Sequence, residues 1–281
     1  MWVLILLVFI LIVAAIFFMI PYSKASNEFY TAVNSKIADT AKSSDVFTDE
    51  DLKKLPLPMQ KYFKYCGYLG TPKMSYMKAS FHNVDFKMSD KKTIKIDYVQ
   101  YNFVETPERF AFIDSSLLGI PFEGFDSYQN GKGSMKGTIA KVVTLFDQQG
   151  EDMDKACLVT VLAECLLVPN IALQDYVAWK AIDDTHAKAS ISYYGTTASG
   201  IFTFDENGKA LSFKTSDRTA TDMKGAVREA EWSAIYGDYH KINGITQPTV
   251  LQSIWHYSEG ESVYFNENKA GVVIEYFIDG K

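Results

Sequence analysis

The chain has little of what most catalytic chemistry needs. Its 281 residues include only 3 Cys and 4 His. Cys66, Cys157 and Cys165 are too few, and odd in number, for a disulfide framework. His82, His186, His240 and His256 have no histidine or cysteine partner at helical spacing, so no metal set is expected. There is no Gly-x-Ser-x-Gly elbow, which removes the usual cue for a serine hydrolase. Gly131-Lys132-Gly133-Ser134 imitates part of a phosphate loop. The full pattern needs an earlier glycine and a helix behind it, whereas Asn130-Gly131 between alternating runs reads as a hairpin turn. No cofactor is therefore expected. A basic stripe is also missing: acids and bases are interleaved and the net charge is -6, which excludes a typical nucleic-acid binder. With 17 Gly and 8 Pro the chain is neither low-complexity nor disordered.

Hydrophobic residues make up 47% of the chain and aromatics 14%, mainly 19 Phe and 17 Tyr, a usage that suits strands. The longest apolar run, residues 2–20, carries no charge and no glycine. As a helix it would reach about 28 Å, close to the hydrocarbon thickness of a bilayer. Trp2 and Tyr22 flank it as interfacial aromatics and Pro21 marks its exit. A cleaved signal peptide is the competing reading, since small residues stand in Ser23-Lys24-Ala25. The run is longer than a signal core and no Lys or Arg precedes it. A retained single-pass anchor over residues 1–22 is therefore expected, in a membrane thought to be bacterial. Lys24, Lys36 and Lys42 would favour a cytosolic domain, but Glu28 and Asp39 dilute them, and the side stays open.

Residues 23–47 read as a stalk or linker, either a helical continuation of the anchor or irregular chain. The remaining residues, 48–281, read as one domain. A helical cap over 48–68 starts at the Thr48 N-cap with acids behind it, restarts after Leu55-Pro56-Leu57-Pro58, and stops at Gly67. From residue 70 the pattern is that of strands, including 73–88 and 92–104. In the latter, Ile94 and Ile96 share one phase while Val99, Tyr101 and Phe103 share the other, which predicts a bulge or bend near Asp97. Asn207-Gly208 predicts a second hairpin. One helix, 151–168, interrupts the strands and ends at Pro169. On it Cys157 and Cys165 would stand roughly 12 Å apart in rise, beyond disulfide reach, so they read as core residues. The predicted class is α+β: a mostly antiparallel curved sheet, half-barrel-like, packed with one buried helix.

Two polar features stand out against this background. Glu164 falls in the most apolar part of the predicted helix, where a carboxylate must be paired, protonated or aimed at a cavity. Asp217-Arg218 follows a strand, and Arg218 offers a bidentate partner for a carboxylate. One reading is a buried ion pair between helix and sheet; the other is the polar anchor of a ligand pocket. Glu164 is expected to point at the sheet, with Arg218 or a tyrosine hydroxyl in hydrogen-bonding range.

The order Leu55-Pro56-x-Pro58-x-Gln60-x-Tyr62, Asp126-Ser127-Tyr128-x-x-Gly131-Lys132-Gly133-Ser134-Met135, Leu162-Ala163-Glu164, Pro169, Trp179-x-x-Ile182-Asp183-Asp184, Phe202-x-Phe204-Asp205-x-x-Gly208, Asp217-Arg218, Trp232, Tyr239 and Trp255 resembles an uncharacterised family of bacterial membrane-anchored proteins of unknown function, over residues 52–280. That resemblance implies no activity. It adds Asp126, Tyr128 and Trp232 to Glu164, Asp217 and Arg218 as candidate ligand-binding residues. The family usually has an Arg-Tyr pair before Leu-Ala-Glu and a Trp before the proline, where Thr160, Val161 and Leu167 stand here. If those residues serve a shared site, it is altered in this chain. A curved sheet with a packed helix is also similar to the lipid-binding half-barrels of bacterial lipoprotein carriers, an analogy of fold. Three functions follow in order: a membrane-tethered, non-catalytic module binding an apolar, amphipathic or lipid-like ligand; a scaffold presenting a sheet edge to an envelope protein; and an acid/base hydrolase using Glu164 with Asp126 or Asp217.

Overall fold

In the computed structural model, which describes residues 1–89, 92–221 and 227–279, the chain opens with α1 (Trp2–Met19). This helix is apolar on every side and buries none of its residues against the rest of the protein. It is long and apolar enough to cross a membrane. Pro21 holds the preceding Ile20 extended, at φ -66° and ψ 126°, and so ends it. The stretch expected as a stalk does not stand free. Ser23 caps α2 (Lys24–Asp39) by accepting the Ser26 N–H at 3.1 Å. Ala25, Phe29 and Val33, one helical stripe, pack on Tyr76, Phe103, Phe110 and Phe112 of the sheet. A short apolar stripe inside polar sequence is enough to fold the segment back.

Thr48 and Asp51 form a reciprocal capping box on α3 (Asp49–Lys53), and α4 (Leu57–Cys66) stops at Gly67, where φ is +80°. The sheet then begins with a meander of β1 (Tyr76–Ser89), β2 (Lys92–Phe103), β3 (Arg109–Leu117), β4 (Ile120–Gln129), β5 (Lys132–Ile139) and β6 (Val143–Gln148). After α5 (Glu151–Glu164) comes a second meander of β7 (Val177–Ala181), β8 (His186–Tyr193), β9 (Thr196–Phe204) and β10 (Ala210–Thr215). It continues through a two-residue ribbon, β11 (Ala220–Thr221) and β12 (Val227–Arg228), into β13 (Glu231–Ile242), β14 (Ile245–Tyr257), β15 (Gly260–Glu267) and β16 (Val273–Phe277). The meanders join where β16 and β15 pair one after the other along the same edge of β1. The result is one antiparallel sheet of fourteen strands among the described residues, with β6 and β7 at its unpaired edges. It is α+β, curved, open and half-barrel-like.

Helix α5 connects those edges and packs on β4 and β5 from one meander and on β8 and β9 from the other. The sheet therefore wraps around it. Glycines permit the approach: a Cβ on Gly133 would lie 2.5 Å from the Met153 carbonyl oxygen, and one on Gly131 would lie 2.4 Å from the Tyr194 Cβ. Asn130-Gly131 is indeed a tight hairpin turn, both residues at positive φ (51° and 76°).

Two corrections to the sequence reading concern how faces are used. The bulge sits on β1, not β2: His82 and Asn83 stand opposite Asp97, whose carboxylate accepts the Asn83 N–H at 2.9 Å. Strand β2 keeps one alternation throughout. Its apolar residues change phase because α2 covers Val99, Tyr101 and Phe103 from the convex side, while Tyr98 and Gln100 face inward. The helix predicted over 151–168 ends at Glu164. Cys165 to Val168 form a buried turn leading into the 3-10 segment Pro169–Leu173.

Candidate functional site

Between α5 and the concave face lies a cavity of about 650 Å³, a size that suits a small organic ligand. Its apolar wall includes Phe86, Phe122, Phe146, Trp232, Trp255 and Phe265. The polar groups are gathered where α5 meets β2 to β4 and β10.

The C-terminal end of α5 is pinned first. A helix leaves its last carbonyls without partners, and here three tyrosines reach the carbonyls around that end. Tyr236 donates to Ala163 at 2.6 Å, Tyr62 to Leu166 at 2.7 Å and Tyr276 to Leu167 at 2.9 Å. Glu164 is thereby held facing the sheet. Its Oε2 accepts from Arg109 Nε at 2.7 Å and from Asn102 Nδ2 at 2.7 Å. The expectation of a donor from the sheet is met by different residues; neither Arg218 nor a tyrosine hydroxyl bonds Glu164. Arg109 is the hub. Its Nη1 donates to Asp126 Oδ2 at 2.7 Å, and its Nη2 donates to the Tyr98 hydroxyl and to Gln100 Oε1 at 3.4 Å. The side chain is only 5% exposed. Burial works against its charge, but Glu164, Tyr98 and Asp126 outweigh that and hold its pKa well above the ordinary value. Burial, in contrast, pushes the Tyr98 hydroxyl up, against the pull of Arg109.

Arg218 is built differently. Its guanidinium lies 4.8 Å from the Trp232 ring and 5.9 Å from that of Trp255. It donates to the Thr160 hydroxyl, and at 3.5 Å to the Ala156 carbonyl of α5. Among the described residues it has no carboxylate partner. Trp232 is fixed in turn by donating to the Tyr264 hydroxyl at 3.1 Å. Asp217 turns away from the cavity: it binds Lys155 at 2.7 Å and accepts the Ser199 N–H at 2.8 Å. Burial alone would raise its pKa, yet the Lys155 and Ser199 bonds bring it below the usual value. Tyr128, on β4, is buried in the core against Tyr193, its hydroxyl without a partner among the described residues.

Of the six residues put forward from sequence, Asp126, Glu164, Arg218 and Trp232 line the cavity, and Asp217 and Tyr128 do not. Arg109, Tyr98, Gln100, Asn102 and Thr160 were missed. Tyr98, Gln100 and Asn102 recur at every second position of β2, a polar row that could have been recognised as facing an interior once Val99, Tyr101 and Phe103 were assigned to a second core. Among the described residues no cluster of three or more His, Cys, Asp or Glu side chains is placed to hold a metal ion. Two of the three carboxylates on the cavity wall, Asp126 and Glu164, are bonded to Arg109. The Cys157 thiol donates to Asp126 Oδ1 at 3.7 Å, and burial holds its pKa well above the ordinary value, so it stays a thiol.

The family model described as a family of unknown function (DUF6544) matches residues 45–267. The chain belongs to that family. Among curated proteins nothing matches the chain. Among solved structures it is similar to the crystal structure of a LolA superfamily protein from Nitrosomonas europaea, at 11% identity and a TM-score of 0.38, covering 78% of this chain and 90% of that one.

Proposed function

We propose that this member of the family of unknown function (DUF6544) is a membrane-tethered, non-catalytic module that takes an amphipathic, lipid-like molecule into its concave cavity. Helix α1 is the tether. The observation that carries the reading is the cavity itself: about 650 Å³ walled by aromatic side chains, with Arg218 on its wall bonded to no carboxylate among the described residues. An apolar body fits the wall, and an acidic head fits Arg218, because a guanidinium in low-dielectric surroundings binds an anion far better than it would in water. The Arg109 cluster is spent on its own partners and supplies shape.

The test is a fluorescence titration of the full chain in nanodiscs, reading Trp232 and Trp255, with palmitate and with its neutral alcohol. Palmitate is expected to bind saturably and the alcohol at least ~10-fold more weakly; Arg218→Gln should erase that difference. Absence of a saturable response to any acyl carboxylate or phosphate, together with native mass spectra free of bound lipid, would refute the proposal.

A further inference from the structure

The two rims of the curved sheet differ. One carries the helical cap: Gly67, at the end of α4, lies against the Gly244 carbonyl in the β13–β14 turn. The opposite rim carries the β3–β4 and β5–β6 turns, and it is apolar and open to solvent. Leu118 is 99% exposed and Val142 62%, and Ile120, Val143 and Leu145 beside them are exposed as well. A hydrogen bond of 2.8 Å from the Ala140 N–H to the Pro121 carbonyl ties the two turns together, so these side chains form one patch. Leu118, Ala140 and Lys141 hold positive φ (55°, 51° and 68°), which is uncommon for residues other than Gly, Asn and Asp. Nothing among the described residues covers them.

This patch is continuous with the end of α1. Lys141, buried between the patch and the helix, donates its ammonium to the Phe18 carbonyl at 3.1 Å and to the Ile20 carbonyl. Those carbonyls are among the ones a helix end leaves unpaired, and a lysine is the favoured partner there. The contact places the two turns at the depth where α1 leaves the apolar phase. Strand register puts cavity residues on the same rim. Phe122 follows Ile120 on β4 and Phe146 follows Val143 on β6. Phe86 is level with Phe265, and Phe265 with Ser253, so the ends of β1 and β14 that carry Met88 and Tyr257 point the same way.

We infer that this rim is a lipid-contacting surface: Leu118, Ile120, Val142, Val143 and Leu145 enter the bilayer interface beside α1 and seat the cavity-bearing end of the sheet on the membrane. The inference rests on the reading of α1 as a retained anchor. Exposed apolar groups next to a spanning helix are stabilised by exactly the phase that the helix occupies, and a lysine stem buried among them with its head at the carbonyl level is the arrangement expected at such a boundary. A ligand would then pass between bilayer and cavity without crossing water.

The experiment uses the full chain reconstituted in phosphatidylcholine vesicles. Its own cysteines, Cys66, Cys157 and Cys165, are all buried, so a polarity-sensitive fluorophore can be placed at Leu118→Cys, Val142→Cys, Lys241→Cys on the far rim, or Val8→Cys within α1. The expected result is a blue-shifted label at 118 and 142, quenched by lipids bearing a nitroxide near the headgroup, with the label at 241 unaffected and the label at 8 quenched by nitroxides deep in the chains. Labels at 118 and 142 as wet as that at 241, with 8 still in the bilayer, would overturn the rim surface while leaving the anchor intact, and would leave the patch to a protein partner. A wet label at 8 would overturn the anchor and this inference together.

Discussion

Two arginines face the same cavity in opposite conditions. Arg109 is almost fully buried and donates to two carboxylates, a phenol and an amide. Arg218 is half-buried, lies over tryptophans and, among the described residues, donates to a hydroxyl and a carbonyl and to no carboxylate. The first has each nitrogen of its guanidinium engaged and is shared by two carboxylates: removing it leaves those ions stranded in low dielectric. The second has no carboxylate partner among the described residues and lies in an aromatic setting, a state that gains most when an anion arrives. The contrast separates what the fold needs from what a ligand would use, and each prediction below either widens it or collapses it.

The largest effect is expected at Arg109. Arg109→Met strands Asp126 and Glu164 beside an apolar side chain, and should lower unfolding free energy by about 3–5 kcal/mol, the range found when one member of a buried ion pair is removed. Chemical denaturation of the full chain in detergent measures this. Adding Asp126→Asn and Glu164→Gln to the same protein should recover most of the loss, because the stranded charges are then gone. If the single variant is as stable as the parent, the cluster is not the structural element its geometry indicates.

Arg218→Gln should behave in the opposite manner. The loss in stability is expected to stay near ~1 kcal/mol, the scale of a partly exposed cation–π contact, while acyl-anion binding falls by at least ~10-fold in the titration described above. A variant that unfolds as Arg109→Met does would erase the distinction between the two arginines. A variant that keeps full affinity would remove Arg218 from the site.

How much of this was legible in the sequence follows from the same contrast. The open, curved antiparallel sheet, the apolar first helix and the capping residues Thr48 and Gly67 announce themselves through local periodicity and turn chemistry, which need no knowledge of distant residues. Glu164 was conspicuous because a carboxylate inside an apolar helical run has few inexpensive environments. Its partner was not legible. Arg109 lies 55 positions away in sequence at the start of a strand, and a strand-end arginine usually faces water. The polar row Tyr98, Gln100 and Asn102 gives no apolar signal of its own, because its side of β2 turns toward the cavity and the Arg109 cluster while α2 covers the other side. The short stripe Ala25, Phe29, Val33 that provides the second cover was hidden in a polar segment. Sequence alternation reports a buried side; it does not report that both sides are buried.

The smallest effect concerns the mount of Arg218, and it depends on pH. Asp217, the residue before it, ties the end of β10 to Lys155 of α5 and to the Ser199 backbone of β9. Burial by itself would push this carboxyl up, but the bonds from Lys155 and Ser199 hold its pKa below the ordinary 3.8. A carboxylate whose folded pKa lies below its unfolded one adds stability that is fully present above the unfolded value and disappears as pH falls through the folded value. The sign is therefore fixed: the chain should be more stable than its Asp217→Asn variant at ~pH 7, and the difference should vanish between ~pH 4 and ~pH 2 as the carboxyl is protonated in both states. The Lys155 bond is a partly exposed ion pair, so added salt should shrink the gap at neutral pH. Thermal midpoints of both proteins across that range provide the measurement. A gap that persists at ~pH 2, or that opens only on acidification, would show that Asp217 does not hold the Arg218 strand end through its charge.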